Sequence, residues 1–434
     1  MPTLLTSSRL LERPDLLNAR SPEGLEIYQI THDPLVPACH ISMEAQVFTP
    51  DSAYFVLHRG VGVQSYDHKD PRHQLLLCET ATGEIREVSE ERGVVAPSVA
   101  PDGRFLYYFV DETVPGGGKL TLKRRHLQTD QIEILEVLDK NIPGTKFRFS
   151  RPGQLSTIRS DGKSLGLYGF LGNGVHEGGS FGLLIFDLVH GGYDLVFHGR
   201  SWWNMHIQYC RSTDDEGKHD ILIQENHNYF VDPNGKVTNP GGGMGADVHV
   251  IRDDGQNFRN MPWGRTKTEF CAGHQCWRGQ TRYAIGSVLW GDALSRKEKR
   301  SELRLMESLP IPHFAHNGAA GENSIRNDLS RNFPDPHFNH FATDQKGDRL
   351  VADFRVSWNP EVPMDDAVYL LDLGEPVVDA AKNITYLFSS RSSWLPKAHV
   401  HPFFSPDGKT LLFNSDESGQ TQAYLVRHLP PRKT

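Results

Sequence analysis

Seven copies of one hairpin pattern constrain this chain more than any other feature it has. The segments EAQVFTPDSAYFVLHR (44–59), APSVAPDGRFLYYFVD (96–111), STIRSDGKSLGLYGFL (156–171) and PFFSPDGKTLLFNSD (402–416) each read as strand, turn, strand. Asp or Asn next to Gly between alternating apolar runs is the strongest short-range hairpin signal. HFNHFATDQKGDRLVADF (337–354) and MHIQYCRSTDDEGKHDILIQ (205–224) fit the same frame, and HQCWRGQTRYAIGSVLW (274–290) keeps both strands around a shortened turn. The turns recur at steps of roughly 50 to 70 residues, the length of a four-stranded blade with its loops. Further strand candidates follow most hairpins, among them QLLLCET, IREVSE, FGLLIFDL, YDLVFHG, AVYLLDL and ITYLFSS, whereas only TQAYLVRHL follows the last. GLEIYQIT stands alone before the first hairpin. The pattern predicts an all-β chain: a seven-bladed β-propeller of four-stranded blades, its ring closed by the N-terminal strand joining the last blade. Residues 1–24 then form an N-terminal extension and 25–434 a single domain. A pair of stacked β-sandwiches is the alternative, and seven copies of one hairpin argue against it.

Composition narrows the function classes. Hydrophobic residues at 38%, with 40 Gly and 27 Pro, suit a turn-rich, strand-rich protein. The formal charge of -8 comes with no basic stripe, so nucleic acid is not an expected partner. No apolar run is long enough to span a membrane. The first residues lack a basic start and an unbroken apolar core, so export by the general route is not expected and a cytoplasmic location is. Cys39, Cys78, Cys210, Cys271 and Cys276 are sparse and odd in number, which speaks for a reducing compartment rather than a disulfide framework. Cys271 and Cys276 flank His274, but the paired spacing of a structural zinc site is missing. The Gly runs at 116–118 and 241–245 lack the Lys-Ser or Lys-Thr ending of a phosphate loop.

The histidines carry the functional signal. The first strand of each blade runs along the central channel, so residues at its start crowd one mouth although they are far apart in sequence. His401 stands seven residues before Gly408, and His340 seven before Gly347, the same register in the last two repeats. His399, two residues before His401, shares its side of an extended chain. His274, His206 and His40 open the first strands of repeats five, four and one. For any one of them alone, a structural imidazole bonding a neighbouring carbonyl is the simpler reading; their recurrence at one repeat position favours a shared site. His340, His399 and His401, completed by oxygen ligands or water, would suit Mn, Fe, Ni or Zn, with His337 as a substitute ligand.

CHISMEAQVFTPDSAYFVL (39–57), MHIQYCRSTDD (205–215), CAGHQCW (271–277), NHFATDQKGDRLVAD (339–353) and AHVHPFFSPDGKTLLFNSDESG (398–419) together resemble the oligogalacturonate lyase family, in the family's order and over most of the chain. The resemblance implies a cytoplasmic seven-bladed propeller that cleaves short oligogalacturonides from pectin by β-elimination with a divalent metal, Mn above all. It implies His340, His399 and His401 as metal ligands and His274 as the histidine of catalysis. His206, Arg211 and His40 are the expected substrate-binding residues around them. The chain departs from the family at two points. Pro396 stands where the family has a metal-binding glutamine, and Asp247 where it has an active-site arginine, leaving His249, Arg252 or Arg211 to take that place. Two other functions therefore stay open: a related propeller enzyme acting on another uronate-containing oligosaccharide, and a non-catalytic binding propeller of the TolB type.

Overall fold

The computed structural model describes residues 10–60, 68–177, 180–226, 229–232, 237–240, 245–263, 269–290, 303–312, 326–333, 338–355, 366–374, 383–395 and 398–432. These residues are almost entirely β. The helical elements among them are two short 3-10 turns, Pro14–Leu16 and Gly217–His219, and no helix is long and apolar enough to cross a membrane.

The strands form antiparallel sheets in chain order. Ala38–His40, Tyr54–Arg59, Gln74–Glu79 and Ile85–Glu87 make one; Val94–Val99, Phe105–Val114, Gly117–His126 and Ile132–Leu138 the next; Arg148–Ile158, Ser164–Gly172, Ser180–Asp187 and Tyr193–Gly199 a third. A nine-stranded sheet follows, in which the strands of the fourth and fifth hairpins are joined by one residue pair, Ala246 opposite Cys271. Phe338–Thr343, Arg349–Arg355, Asp366–Asp372 and Asn383–Phe388 pair in order, and the final sheet holds Phe403–Phe404, Leu411–Ser415 and Gln422–Arg427. Glu26–Gln29 pairs antiparallel with Gln422–Arg427, so the N-terminal strand does join the last sheet. Residues expected to lie outside the domain pack there too. Leu11–Glu12 adds a fifth strand, Arg13 pairs with Glu417, and Leu16 is buried.

The turn chemistry explains why the hairpins repeat. Gly103, Gly162, Gly347 and Gly408 all adopt φ between 68° and 74°, a left-handed conformation that only glycine takes at little cost. Each donates its N–H to the carbonyl three residues back, at 2.8–3.1 Å. Asp102, Asp161 and Asp407 accept the N–H two residues on, the side-chain turn that favours Asp there. In the first repeat, where no glycine is present, Ser52 takes φ 61° instead.

First strands of successive repeats touch. Val99 N–H bonds Gln46, Ser98 Oγ bonds Ser156 Oγ, Tyr209 N–H bonds Thr157 Oγ1, Trp277 Nε1 bonds the Gln208 carbonyl and Gly279 N–H bonds Thr343 Oγ1. Arg349 then reaches the Gly408 carbonyl, and Asp407 N–H bonds Ser52 Oγ of the first repeat. At the turn ends, a cavity of about 380 Å³ is lined by residues of all seven hairpins, including Pro50, Pro101, Ser160, Arg211, Gln280, Gln345 and Pro406.

Candidate metal centre

The opposite ends of the same strands gather the imidazoles. His340 lies within Phe338–Thr343 and His274 within Glu269–Trp277, while His399 and His401 precede Phe403–Phe404 and His206 precedes Gln208–Tyr209. The ring centroids of His340 stand 4.0 Å from His401 and 5.0 Å from His399, and the latter two are 5.5 Å apart. One nitrogen from each of the three can be chosen so that all lie within 4.8 Å of one another. His274 is 4.3 Å from His340, and His206 is 6.3 Å from His274. His401 and His206 share φ 47°, a left-handed conformation that costs a non-glycine residue on the order of 1–2 kcal/mol. Two separate repeats hold that strain at the same position.

Two carboxylates, neither legible as a functional residue in the sequence, fix these rings. Asp353 is fully buried; it accepts the His340 backbone N–H at 2.8 Å, the His340 ring Nδ1 at 2.7 Å and the His401 N–H at 3.3 Å. A carboxylate on Nδ1 leaves Nε2 as the ligand atom, the usual outer support of a metal-binding histidine. Glu44 sets its two oxygens 2.7 Å from His206 Nδ1, and Asn204 Nδ2 lies 2.7 Å from His206 Nε2.

These partners separate the histidines electrostatically. Burial pushes His340 and His401 well below the ordinary histidine value, aided by repulsion among the imidazoles, and burial with the nearby Arg355 brings His399 to about 4. Burial, then His206 and His399, brings His274 to about 3. His274 Nδ1 is buried without a hydrogen-bond partner among the described residues. His206 goes the other way: burial alone would lower it, but Glu44 outweighs that and raises it. Three neutral imidazoles, one oriented by a carboxylate, fit a transition-metal ion, since ligation requires the deprotonated ring.

His40 is 1% exposed, its ring centroid 6.2 Å from that of His401 and 4.9 Å from that of Phe403, against which it packs edge to face. Arg211 follows Gln208–Tyr209 where His206 precedes it. Its guanidinium reaches the Thr343 carbonyl at 3.5 Å, three residues beyond His340 and so about 10 Å further along the channel. Arg252 donates to the Glu216 carbonyl by the turn of the fourth hairpin, away from the imidazoles. His249 is buried against Trp202 and Phe258, and Asp247 stands opposite Glu225 across two paired strands. His337 and Pro396 lie outside the described residues. Arg355, not singled out from the sequence, lies 5.8 Å from the ring of Trp394, which itself stacks 5.8 Å from His340.

No family model matches the chain, and no curated protein matches it in sequence. Solved structures do match in shape. An oligogalacturonate lyase from Vibrio parahaemolyticus superposes with a TM-score of 0.65 at 14% identity, covering 98% of both chains. An oligogalacturonate lyase in complex with manganese gives 0.64 at 17% identity, covering 97% of both. A TolB structure from Acinetobacter baumannii reaches 0.39 at 11% identity, over 91% of this chain and 63% of that one, too loose a match to carry an argument. Over nearly its whole length, then, this chain has the propeller-like all-β fold of the oligogalacturonate lyase structures, at 14–17% sequence identity.

Proposed function

We propose that the chain is a closed seven-bladed propeller and a metal-dependent lyase, cytoplasmic, that cleaves short oligogalacturonides by β-elimination. His340, His399 and His401 hold the divalent metal, for which manganese is the first choice. The observation that carries the reading is geometric: the three imidazoles converge within 4.8 Å, His274 stands 4.3 Å from His340, and beside them burial lowers His274 while Glu44 raises His206. Adjacent titratable groups pushed apart in this way mark acid and base roles.

Elimination removes the C5 proton of a uronate and breaks the bond from C4 to the bridging oxygen. The electrons of the C5–H bond become the C4–C5 double bond, and those of the C4–O bond leave with the oxygen. When bound, the metal would supply Lewis-acid stabilisation of charge on the carboxylate beside C5. Neutral His274 accepts the C5 proton and can return it to the leaving oxygen. Arg355, and His206 with its proton favoured by Glu44, bring positive charge to the mouth of a chain that is acidic overall, and Asp353 keeps His340 and His401 in place.

The product carries a conjugated double bond, so digalacturonate with manganese should give rising ultraviolet absorbance. A flat trace at neutral and mildly alkaline pH would remove this reading. Asp247 facing Glu225, where the resemblance calls for arginine, favours a second reading in which another uronate disaccharide is the substrate. Signal from that sugar with none from digalacturonate would select it.

A further inference from the structure

A cleft of about 390 Å³ opens beside His206, and the catalytic reading makes no use of it. Arg151, Gln154, Tyr168, Phe170, Trp203 and Asn204 are among its lining residues. Asn204 ties it to the imidazole mouth, contacting His206 Nε2 at 2.7 Å on one side and Tyr168 Oη at 3.3 Å on the other.

Its cation is held in an unusual way. The Arg151 guanidinium lies 3.9 Å from the ring centroid of Phe170 and 5.6 Å from that of Trp203. Its closest carboxylate, Glu177, is 3.6 Å away, beyond hydrogen-bond distance, and Arg151 remains 44% exposed. Among the described residues no acceptor takes a hydrogen bond from this side chain, so its planar fork of donors is unspent at the wall of a cavity. Stacking on an aromatic face fixes the plane of the guanidinium without consuming those donors.

The backbone is shaped to put it there. Arg148–Ile158 loses register with Ser164–Gly172 twice, between Phe149 and Arg151 and between Pro152 and Ser156. Bulges of this kind re-aim side chains and concentrate next to active sites. Two glycines permit the distortion. A Cβ on Gly169 would stand 2.3 Å from the Arg151 carbonyl, and one on Gly153 would stand 2.3 Å from the Tyr168 ring, where neither could be relieved cheaply.

We propose that this cleft is a second sugar subsite: Arg151 binds the carboxylate of a uronate unit beyond the one being cleaved, and that unit's apolar face rests against Trp203. The ligand class follows from the lining. A guanidinium ion-paired to Glu177 without a hydrogen bond still has donors to match a carboxylate bidentately, and an aromatic wall receives the C–H face of a pyranose. This rests on the uronate reading of the neighbouring site, and the test separates the two. Calorimetry would measure binding of trigalacturonate and of its methyl ester to metal-loaded His274→Ala protein, with and without Arg151→Met. The expected result is a loss of roughly ten- to a hundredfold in affinity for the acid on removing Arg151, as for a hydrogen bond to a charged group. Affinity for the ester should be unchanged, and Arg151→Lys should recover part of the loss. Trp203→Ala should weaken acid and ester alike. Equal affinity for the acid with and without Arg151 would overturn the subsite while leaving the uronate reading intact. No affinity for any uronate, even with Arg151 present, would overturn both.

Discussion

Replacing Glu44 by Gln tests the electrostatics of the site most directly. The carboxylate side chain is 2% exposed and His206 17%, with both carboxylate oxygens 2.7 Å from Nδ1. Gln keeps the shape and one hydrogen bond but removes the charge, so the loss is that of a charge-assisted bond, about 1.5–3 kcal/mol. The sign follows from linkage. Because Glu44 raises His206 in the folded state, the pair stabilises fully below the ordinary histidine value of about 6.5 and fades as pH rises through the raised folded value. Urea unfolding of wild type and Glu44→Gln should therefore differ by that amount below the ordinary histidine value, and the difference should shrink as pH rises through the raised folded value. The ring-proton NMR signal of His206 should titrate lower in the variant, since burial then acts unopposed. A stability loss independent of pH, or a His206 titration that does not move, would refute Glu44 as the group that raises His206.

Three further outcomes are expected. His274→Ala should abolish turnover and keep bound metal, whereas His401→Ala should lose both, read by metal analysis beside the ultraviolet assay; full rate in His274→Ala would remove it as the base. Asp353→Asn should weaken metal binding by about ten- to a hundredfold, the usual effect of removing the carboxylate behind a ligating imidazole, measured by competition with a chelator. Arg278, 2% exposed, pairs with fully buried Glu307 at 2.6 Å and also bonds the Gly347 and Gly374 carbonyls. Arg278→Met should cost about 3–5 kcal/mol of unfolding free energy by stranding a buried charge, and adding Glu307→Leu should restore part of it.

What the sequence made legible was whatever is encoded locally. Asp102-Gly103 and Asp407-Gly408 announce their turns in two residues, because the glycine conformation and the Asp side-chain bond are both short-range. Counting back from such turns was enough to bring His340 and His401 together. The same counting misplaced Arg211, since a residue just after the first strand belongs to the other end of the channel. It also missed that His40 is buried edge to face against Phe403. Glu44 and Asp353 were invisible for another reason: each acts on a ring brought near only by the tertiary fold, and Glu44 is 162 residues from His206. Arg151 hid in a double bulge, where alternation breaks down and a strand loses its period-two signature.

The pairing of Glu26–Gln29 with Gln422–Arg427 orders events during synthesis. A nascent chain can complete its middle sheets as they emerge from the ribosome, but an early-made strand must wait, unpaired along one edge, until nearly four hundred further residues have been added. Until then its exposed backbone groups are open to wrong partners. The last sheet is thus a natural checkpoint: a chain that stops short of Gln422 can have most of its hairpins and still lack the partner that holds its beginning in place.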